Sequence, residues 1–103
     1  FYSNVFGWNI MKWEGPVDYW LVETGPQEQP GINGGLFQRS EQFSTSCNTL
    51  DVADVDVAVG RVTANGGQVV APKMAIPGVG WLAYCLDTEG NLFGVMQADP
   101  SAA

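Results

Sequence analysis

The chain has 103 residues, 46% of them hydrophobic and 15% charged, which is enough apolar side chain for one core and excludes a disordered polypeptide. Its formal net charge is −7 and its few cations, Lys12, Arg39, Arg61 and Lys73, are scattered, so no basic stripe is available for a phosphate backbone and nucleic acid is not an expected partner. Histidine is absent, which removes Ser/His/Asp and Cys/His pairs, HExxH metal sites and any imidazole base; no membrane-length apolar run and no signal-peptide layout occur, so a cytoplasmic protein away from membranes is expected.

The opening FYSNVFGW sets Phe1, Val5 and Trp8 near helical spacing and places Gly7 where a left-handed residue ends a helix, predicting the last turns of a helix. Strands are predicted over Trp8–Glu14 and Asp18–Thr24, joined by a turn at Gly15 and Pro16. The segment GPQEQPGINGG reads as a loop before a third strand at Gly35–Gln38. Arg39–Ser46 is polar and aperiodic and reads as a linker.

The pattern then restarts. Cys47–Val52 reads as a strand, and Asp54 is placed to cap a helix in which Val55, Val59 and Val62 recur at helical spacing as far as Ala64. Gly66 and Gly67 stop it. Three strands follow over Gln68–Ile76, Trp81–Asp87 and Leu92–Gln97, with turns at Pro77–Gly80 and Thr88–Asn91. Both halves share the order helix, strand, strand, strand, and their closing segments GGLFQ (Gly34–Gln38) and FGVMQ (Phe93–Gln97) superpose.

Three blocks carry a family resemblance. FYSNVFGW resembles the first-helix signature of glyoxalase-like proteins, VADVDVA the start of their second module, and DTEGNLFGVMQ their closing turn and strand. With spacing that suits the family, these blocks make the chain similar to the vicinal oxygen chelate superfamily of glyoxalases, bleomycin-resistance proteins and extradiol dioxygenases. The resemblance implies an α+β fold of two βαβββ modules forming a cupped mixed sheet with helices outside and a ligand cavity in the cup. The expected organisation is one domain with module one over 1–38, a linker over 39–46, module two over 47–98 and a tail over 99–103. The first strand of module one is missing. A longer parent chain, a stretch beyond the visible one, or a covering second subunit would each supply it, and the uncapped start in mid-helix favours the first.

Family enzymes hold a divalent metal in the cup through His and Glu from the first and last strands. By resemblance the first-strand ligand of module two falls on Cys47, its last-strand ligand on Gly94, and the last-strand ligand of module one, through the repeat, on Gly35. None of these offers a hard oxygen or an imidazole. No metal and no cofactor is therefore expected, and Cys47 and Cys85 read as reduced structural thiols, Cys47 being at most a lone soft ligand.

Other groups leave alternatives open. Trp81 and Tyr84, with Trp13, Tyr19 and Trp20, either line the cup or fill the core; Asn33, Gln38 and Gln97 are ligand-fixing amides or surface ones. Glu14, Glu23 and Asp87 would serve as acid or base only if buried, and Asp51, Asp54 and Asp56 read as a solvated helix start rather than a cation loop. The resulting expectation is a protein that binds an unknown small, partly apolar molecule through Trp81, Tyr84, Asn33, Gln38 and Gln97 without the usual metal site. The competing expectations are a metal-dependent lyase, isomerase or dioxygenase whose ligands come from the missing strand or a partner subunit, and an interaction module; a homodimer is the expected assembly.

Overall fold

Positive-φ glycines decide where both helices stop. In the computed structural model, which describes residues 1–103, helix α1 (Tyr2–Phe6) ends at Gly7 with φ 72° and ψ 19°, and the Gly7 N–H donates to the Ser3 carbonyl at 2.9 Å. Helix α2 (Val55–Ala64) runs out at Asn65 and is followed by Gly66 at φ 91°. The chain divides into two units, Phe1–Thr45 and Ser46–Ala103, and its class is α+β.

In the first unit, β1 (Asn9–Lys12), β2 (Tyr19–Glu23) and β3 (Gly34–Phe37) form an antiparallel sheet in the order β1-β2-β3. Register pairs Met11 with Leu21 and Leu21 with Gly35, so strand alternation sends Ile10, Trp20, Val22 and Leu36 to one face and Met11, Tyr19, Leu21, Gly35 and Phe37 to the other. Strand β1 is shorter than the predicted Trp8–Glu14, although the Trp13 N–H still donates to the Tyr19 carbonyl at 2.8 Å and Lys12 pairs with Asp18 at 3.2 Å. The loop after β2 is closed by Asn33, whose Oδ1 accepts the Thr24 N–H at 3.0 Å, while the Thr24 hydroxyl donates to the Ile32 carbonyl at 2.7 Å. Val22 is the buried apolar residue of this sheet, and α1 contributes no buried residue; its Tyr2 and Phe6 rings pack on Trp8.

The second unit contains β4 (Asn48–Asp51), α2, β5 (Gln68–Ile76), β6 (Gly80–Leu86) and β7 (Leu92–Ala98), with sheet order β4-β7-β6-β5. Strand β4 lies parallel to β7 and the remaining pairs are antiparallel, so the sheet is mixed. Cys47 stands one residue before β4 rather than within it. The Asp54 carboxylate accepts the N–H groups of Asp56 and Val57 at 2.9 and 3.1 Å, capping α2 as its spacing predicts. Helix α2 then lays Val55, which is fully buried, on Ala83 and Val95, with Val52, Ala58, Val59, Trp81 and Phe93 around them. Edge strand β5 shifts register on either side of Ala71, next to Pro72, which has no N–H for a ladder.

Residues 99–103, expected as a tail, fold back onto the β5–β6 turn. Asp99 N–H donates to the Val79 carbonyl at 3.0 Å, Gly78 N–H to the Ala102 carbonyl at 2.9 Å, and Ala102 is buried.

Register also defines the repeat. Leu21 opposes Gly35 in the first unit and Tyr84 opposes Gly94 in the second, so Val22 corresponds to Cys85, both buried.

Candidate ligand-binding surface

On each closing strand a glycine stands beneath a tyrosine. A Cβ at Gly35 would overlap the ring and hydroxyl of Tyr19, one strand away and two residues along the diagonal. A Cβ at Gly94 would come within 2.9 Å of Thr49 Oγ1 and 3.2 Å of Tyr84 Cε1, between the parallel strand on one side and the antiparallel strand on the other. These are two of the three positions, with Cys47, at which the family resemblance expects metal-ligating side chains. The sequence puts glycine there, and the folded chain fills the vacated space with tyrosine and threonine.

The residues present therefore do not fit a metal of the family kind. Nowhere do three or more His, Cys, Asp or Glu side chains come together in a set that could hold an ion. Burial pushes the Cys47 and Cys85 thiols above their ordinary pKa, the reverse of what a thiolate ligand or nucleophile needs. Asp54 is committed to the α2 cap, and Asp56 to Lys73 Nζ at 2.9 Å.

Asp87 is not a buried acid. It is exposed, and the Asn91 backbone N–H, the Asn91 side chain and the Glu89 N–H, each near 3 Å, hold its carboxyl below the usual aspartate range. Its work is to close the β6–β7 turn. Glu14 and Glu23 are exposed as well.

The amides and rings singled out from sequence occupy separate places. Asn33 lines a small polar hollow of about 160 Å³ with Thr24, Pro26 and Gln29, and its oxygen already accepts from Thr24. Gln38 edges an open, mainly apolar hollow of about 440 Å³ with Ile10, Trp20, Leu36 and Phe37. Gln97 turns to the helix side of its sheet, where its Oε1 accepts the Val55 N–H at 3.0 Å. Trp81 shares that side: it packs against the α2 core, its Nε1 donates to Asp99 Oδ2 at 2.9 Å, and Lys73 Nζ lies 4.7 Å from its ring centroid. Tyr84, three residues on, takes the opposite face with Gly94. Strand alternation thus separates Trp81 from Tyr84.

Trp13 and Tyr19, open from sequence between cup and core, are joined by Phe37 and Phe43, which sequence does not single out. In the first unit, Trp13, Tyr19, Phe37 and Phe43 make a continuous row of rings. Tyr19 and Phe37 are cross-strand partners, nearly parallel at 15° with centroids 5.8 Å apart, and Trp13 and Phe43 stand edge-on to them at 80° and 77°. The alternation of DYWLVET with GGLF contains the Tyr19–Phe37 pairing, but the register that reveals it does not follow from spacing alone.

No family model matches the chain. Over 49 residues, 48% of this chain and 19% of the relative, it is 39% identical to "Putative glyoxylase CFP32" of Mycobacterium bovis (strain ATCC BAA-935 / AF2122/97), and equally to the protein of the same name from Mycobacterium tuberculosis (strain CDC 1551 / Oshkosh). The chain spans about a fifth of the length of these relatives. Among solved structures, TioX from Micromonospora sp. ML1 aligns at 22% identity and a TM-score of 0.43, covering 95% of this chain and 82% of that one. TnmS3, an antibiotic binding protein from Streptomyces sp. CB03234, aligns at 23% and 0.43, covering 96% and 82%. The fosfomycin resistance protein FosX from Listeria monocytogenes aligns at 16% and 0.45, covering 95% and 78%.

Proposed function

We propose, from the resemblance to the vicinal oxygen chelate superfamily of glyoxalases and bleomycin-resistance proteins that the sequence blocks, the element order and the mycobacterial relatives share, that this chain binds a small, partly apolar molecule without the family's metal site. One observation carries the reading: at Gly35 and Gly94, where a ligating side chain is expected, tyrosine covers bare backbone. A surface that would have presented carboxylates to an ion presents rings instead, and rings bind by apolar contact and stacking.

In this reading the glycine-bearing sheet face of each unit is a candidate ligand surface in its own right. In the second unit Tyr84 is the candidate contact, with Trp81 and Gln97 holding the frame behind that sheet; in the first, Asn33 and Gln38 are candidate amides, each at its own hollow. A cytoplasmic setting and a homodimer belong to the same proposal. No helix is long and apolar enough to cross a membrane, and sedimentation tests the dimer, a clean monomer removing it.

The deciding experiment is elemental analysis after chelation and re-addition of Zn, Ni, Mn and Fe, run beside a tryptophan-fluorescence titration with a small-molecule library. Saturable binding of a library member with no stoichiometric metal is expected. Stoichiometric retention of any of the four metals would overturn the metal-free reading in favour of a lyase, isomerase or dioxygenase. Absence of any saturable binder would overturn the binding reading itself.

A further inference from the structure

Asn33-Gly34-Gly35 and Asn65-Gly66-Gly67 are the same tripeptide, present once in each unit. An asparagine followed by glycine is prone to lose its amide, because the next backbone nitrogen can reach the side-chain carbonyl with no Cβ in its way. As peptides the two copies are equal, and both asparagines are exposed, so any difference in their reactivity comes from the fold.

The second copy is locked. Asn65 ends α2, where its Nδ2 donates to the Arg61 carbonyl at 2.8 Å and its backbone N–H to the same carbonyl at 3.1 Å. The Gly66 N–H, which belongs to the attacking nitrogen, donates to the Thr63 carbonyl at 3.2 Å, and the Gly67 N–H to the Val62 carbonyl at 2.9 Å, the pair of bonds that closes a helix on a left-handed glycine. Gly67 is also tightly packed: a Cβ there would come within 2.7 Å of Val62 Cγ1 and 2.8 Å of the Leu86 carbonyl oxygen. Attack requires the Asn–Gly peptide plane to swing toward the side chain, and here the groups that must move are tied.

The first copy is open. Gly34 is the first residue of β3, so Val22–Gly34 is the end pair of its ladder, and end pairs fray first. A Cβ at Gly34 would meet nothing within 4 Å. The bonds to the Asn33 side chain fall on its carbonyl oxygen, from the Thr24 N–H at 3.0 Å and the Thr24 hydroxyl at 3.4 Å. They hold the electrophile in place and stabilise negative charge arriving on that oxygen. At Asn65 the bond falls instead on the nitrogen that has to depart.

We propose that Asn33 is a site of spontaneous deamidation, with water as its co-reactant, and that the fold protects Asn65. The Gly34 nitrogen gives its proton to hydroxide and bonds to Asn33 Cγ; the Cγ–Nδ2 bond breaks, and ammonia leaves with a proton taken from water. The product is a five-membered cyclic imide. Water then opens it: cleavage of the new bond to Cγ gives aspartate, and cleavage at the main-chain carbonyl gives isoaspartate, which routes the chain through Cβ and Cγ. Either product adds a negative charge beside Thr24. Isoaspartate also lengthens the backbone immediately before Gly34, next to the Leu21–Gly35 pairing.

The test incubates the 103-residue chain in mildly alkaline and mildly acidic buffer, both natively and in urea, beside an unincubated control. Trypsin then isolates Asn33 in peptide 13–39 and Asn65 in peptide 62–73, each with a single asparagine. Mass spectrometry reads the exchange of amide for acid, and isoaspartyl methyltransferase with a labelled methyl donor reads isoaspartate. In urea the two peptides should convert at similar rates. In the native chain Asn33 should convert several-fold faster than Asn65, and faster in alkali than in acid because the attacking nitrogen must lose a proton. Gly34→Ala, which places a methyl in open space on the attacking residue, should slow Asn33 several-fold in the native chain and in urea and leave Asn65 unchanged, with circular dichroism confirming the fold. Native Asn65 converting as fast as Asn33 overturns protection by the fold. Native Asn33 staying intact, whether or not the urea samples convert, overturns the site. Undiminished conversion in Gly34→Ala overturns attack by the Gly34 nitrogen in favour of direct hydrolysis.

Discussion

The side-chain oxygen of Gln97 accepts the backbone N–H of Val55 at 3.0 Å, across 42 positions of sequence. The first turn of a helix has N–H groups without intrahelical partners, and this one is satisfied by the closing strand rather than by water. Gln97 therefore fastens α2 to β7 at the point where Val55 enters the core.

Replacing Gln97 by Leu leaves that half-buried N–H unpaired and is expected to lower stability by about 1 kcal/mol, with no change in the fold. Urea denaturation checks it. A midpoint equal to that of the parent chain would show that water replaces the amide at no cost.

Val55 itself is the more sensitive position. It is fully exclude from solvent against Ala83 and Val95, two residues too small to close over a void, so Val55→Ala should cost roughly 2 kcal/mol. Val57, on the exposed side of the same helix, should lose a few tenths of a kcal/mol at most when changed to Ala. Thermal melts of the two variants side by side give the contrast.

Gly94→Ala forces a methyl to within 2.9 Å of Thr49 Oγ1 and 3.2 Å of Tyr84, and overpacking of this kind costs about 1–3 kcal/mol. Adding Thr49→Ser, which removes the methyl beside it at 3.4 Å, should recover part of the loss in a double-mutant cycle. Gly94→Glu restores the family's side-chain type but meets the same neighbours, and calorimetry with Zn should show no gain in metal binding.

Acid should loosen the carboxyl-terminal return. The Ser101 hydroxyl, the Trp81 indole N–H and the Ser101 N–H hold Asp99 below its ordinary pKa of 3.8. A folded-state pKa lower than the unfolded one means that the ionised group adds stability above the unfolded value, and that this stability is lost as pH falls through the folded value. Melting temperature should therefore drop on acidification below about pH 4, and less steeply in Asp99→Asn. Identical profiles for the two proteins would remove Asp99 from the acid response; Asp87, depressed by Asn91, contributes with the same sign.

Features written in local signals were legible. Helix α2 has its predicted bounds because Asp54 is a capping side chain and the Asn65–Gly66 pair cannot extend a helix, and the Gly90–Asn91 turn announces the β6–β7 hairpin. What depends on register was not. The lie of Tyr19 over Gly35 needs the diagonal between two strands joined by a long loop, and the loop's composition leaves that diagonal open. Trp81 and Tyr84 differ by an odd number of positions, so they take opposite faces, but which face meets α2 is set by Val55 docking on Ala83. The bond from Trp81 to Asp99 was hidden because Asp99 sits in a small-residue stretch that reads as a loose end.

Strand β4 finds its partner only in β7, with Asn48 beside Phe93 and Asp51 beside Met96. During synthesis β4 is made first and waits through α2, β5 and β6, since closing that long loop is rewarded only when the last strand has left the ribosome. The hairpins β5–β6 and β6–β7 can assemble earlier from local contacts. Truncation within β7 should accordingly strand β4 as an unpaired edge open to association with neighbouring chains, whereas loss of the final two residues should leave the pairing intact.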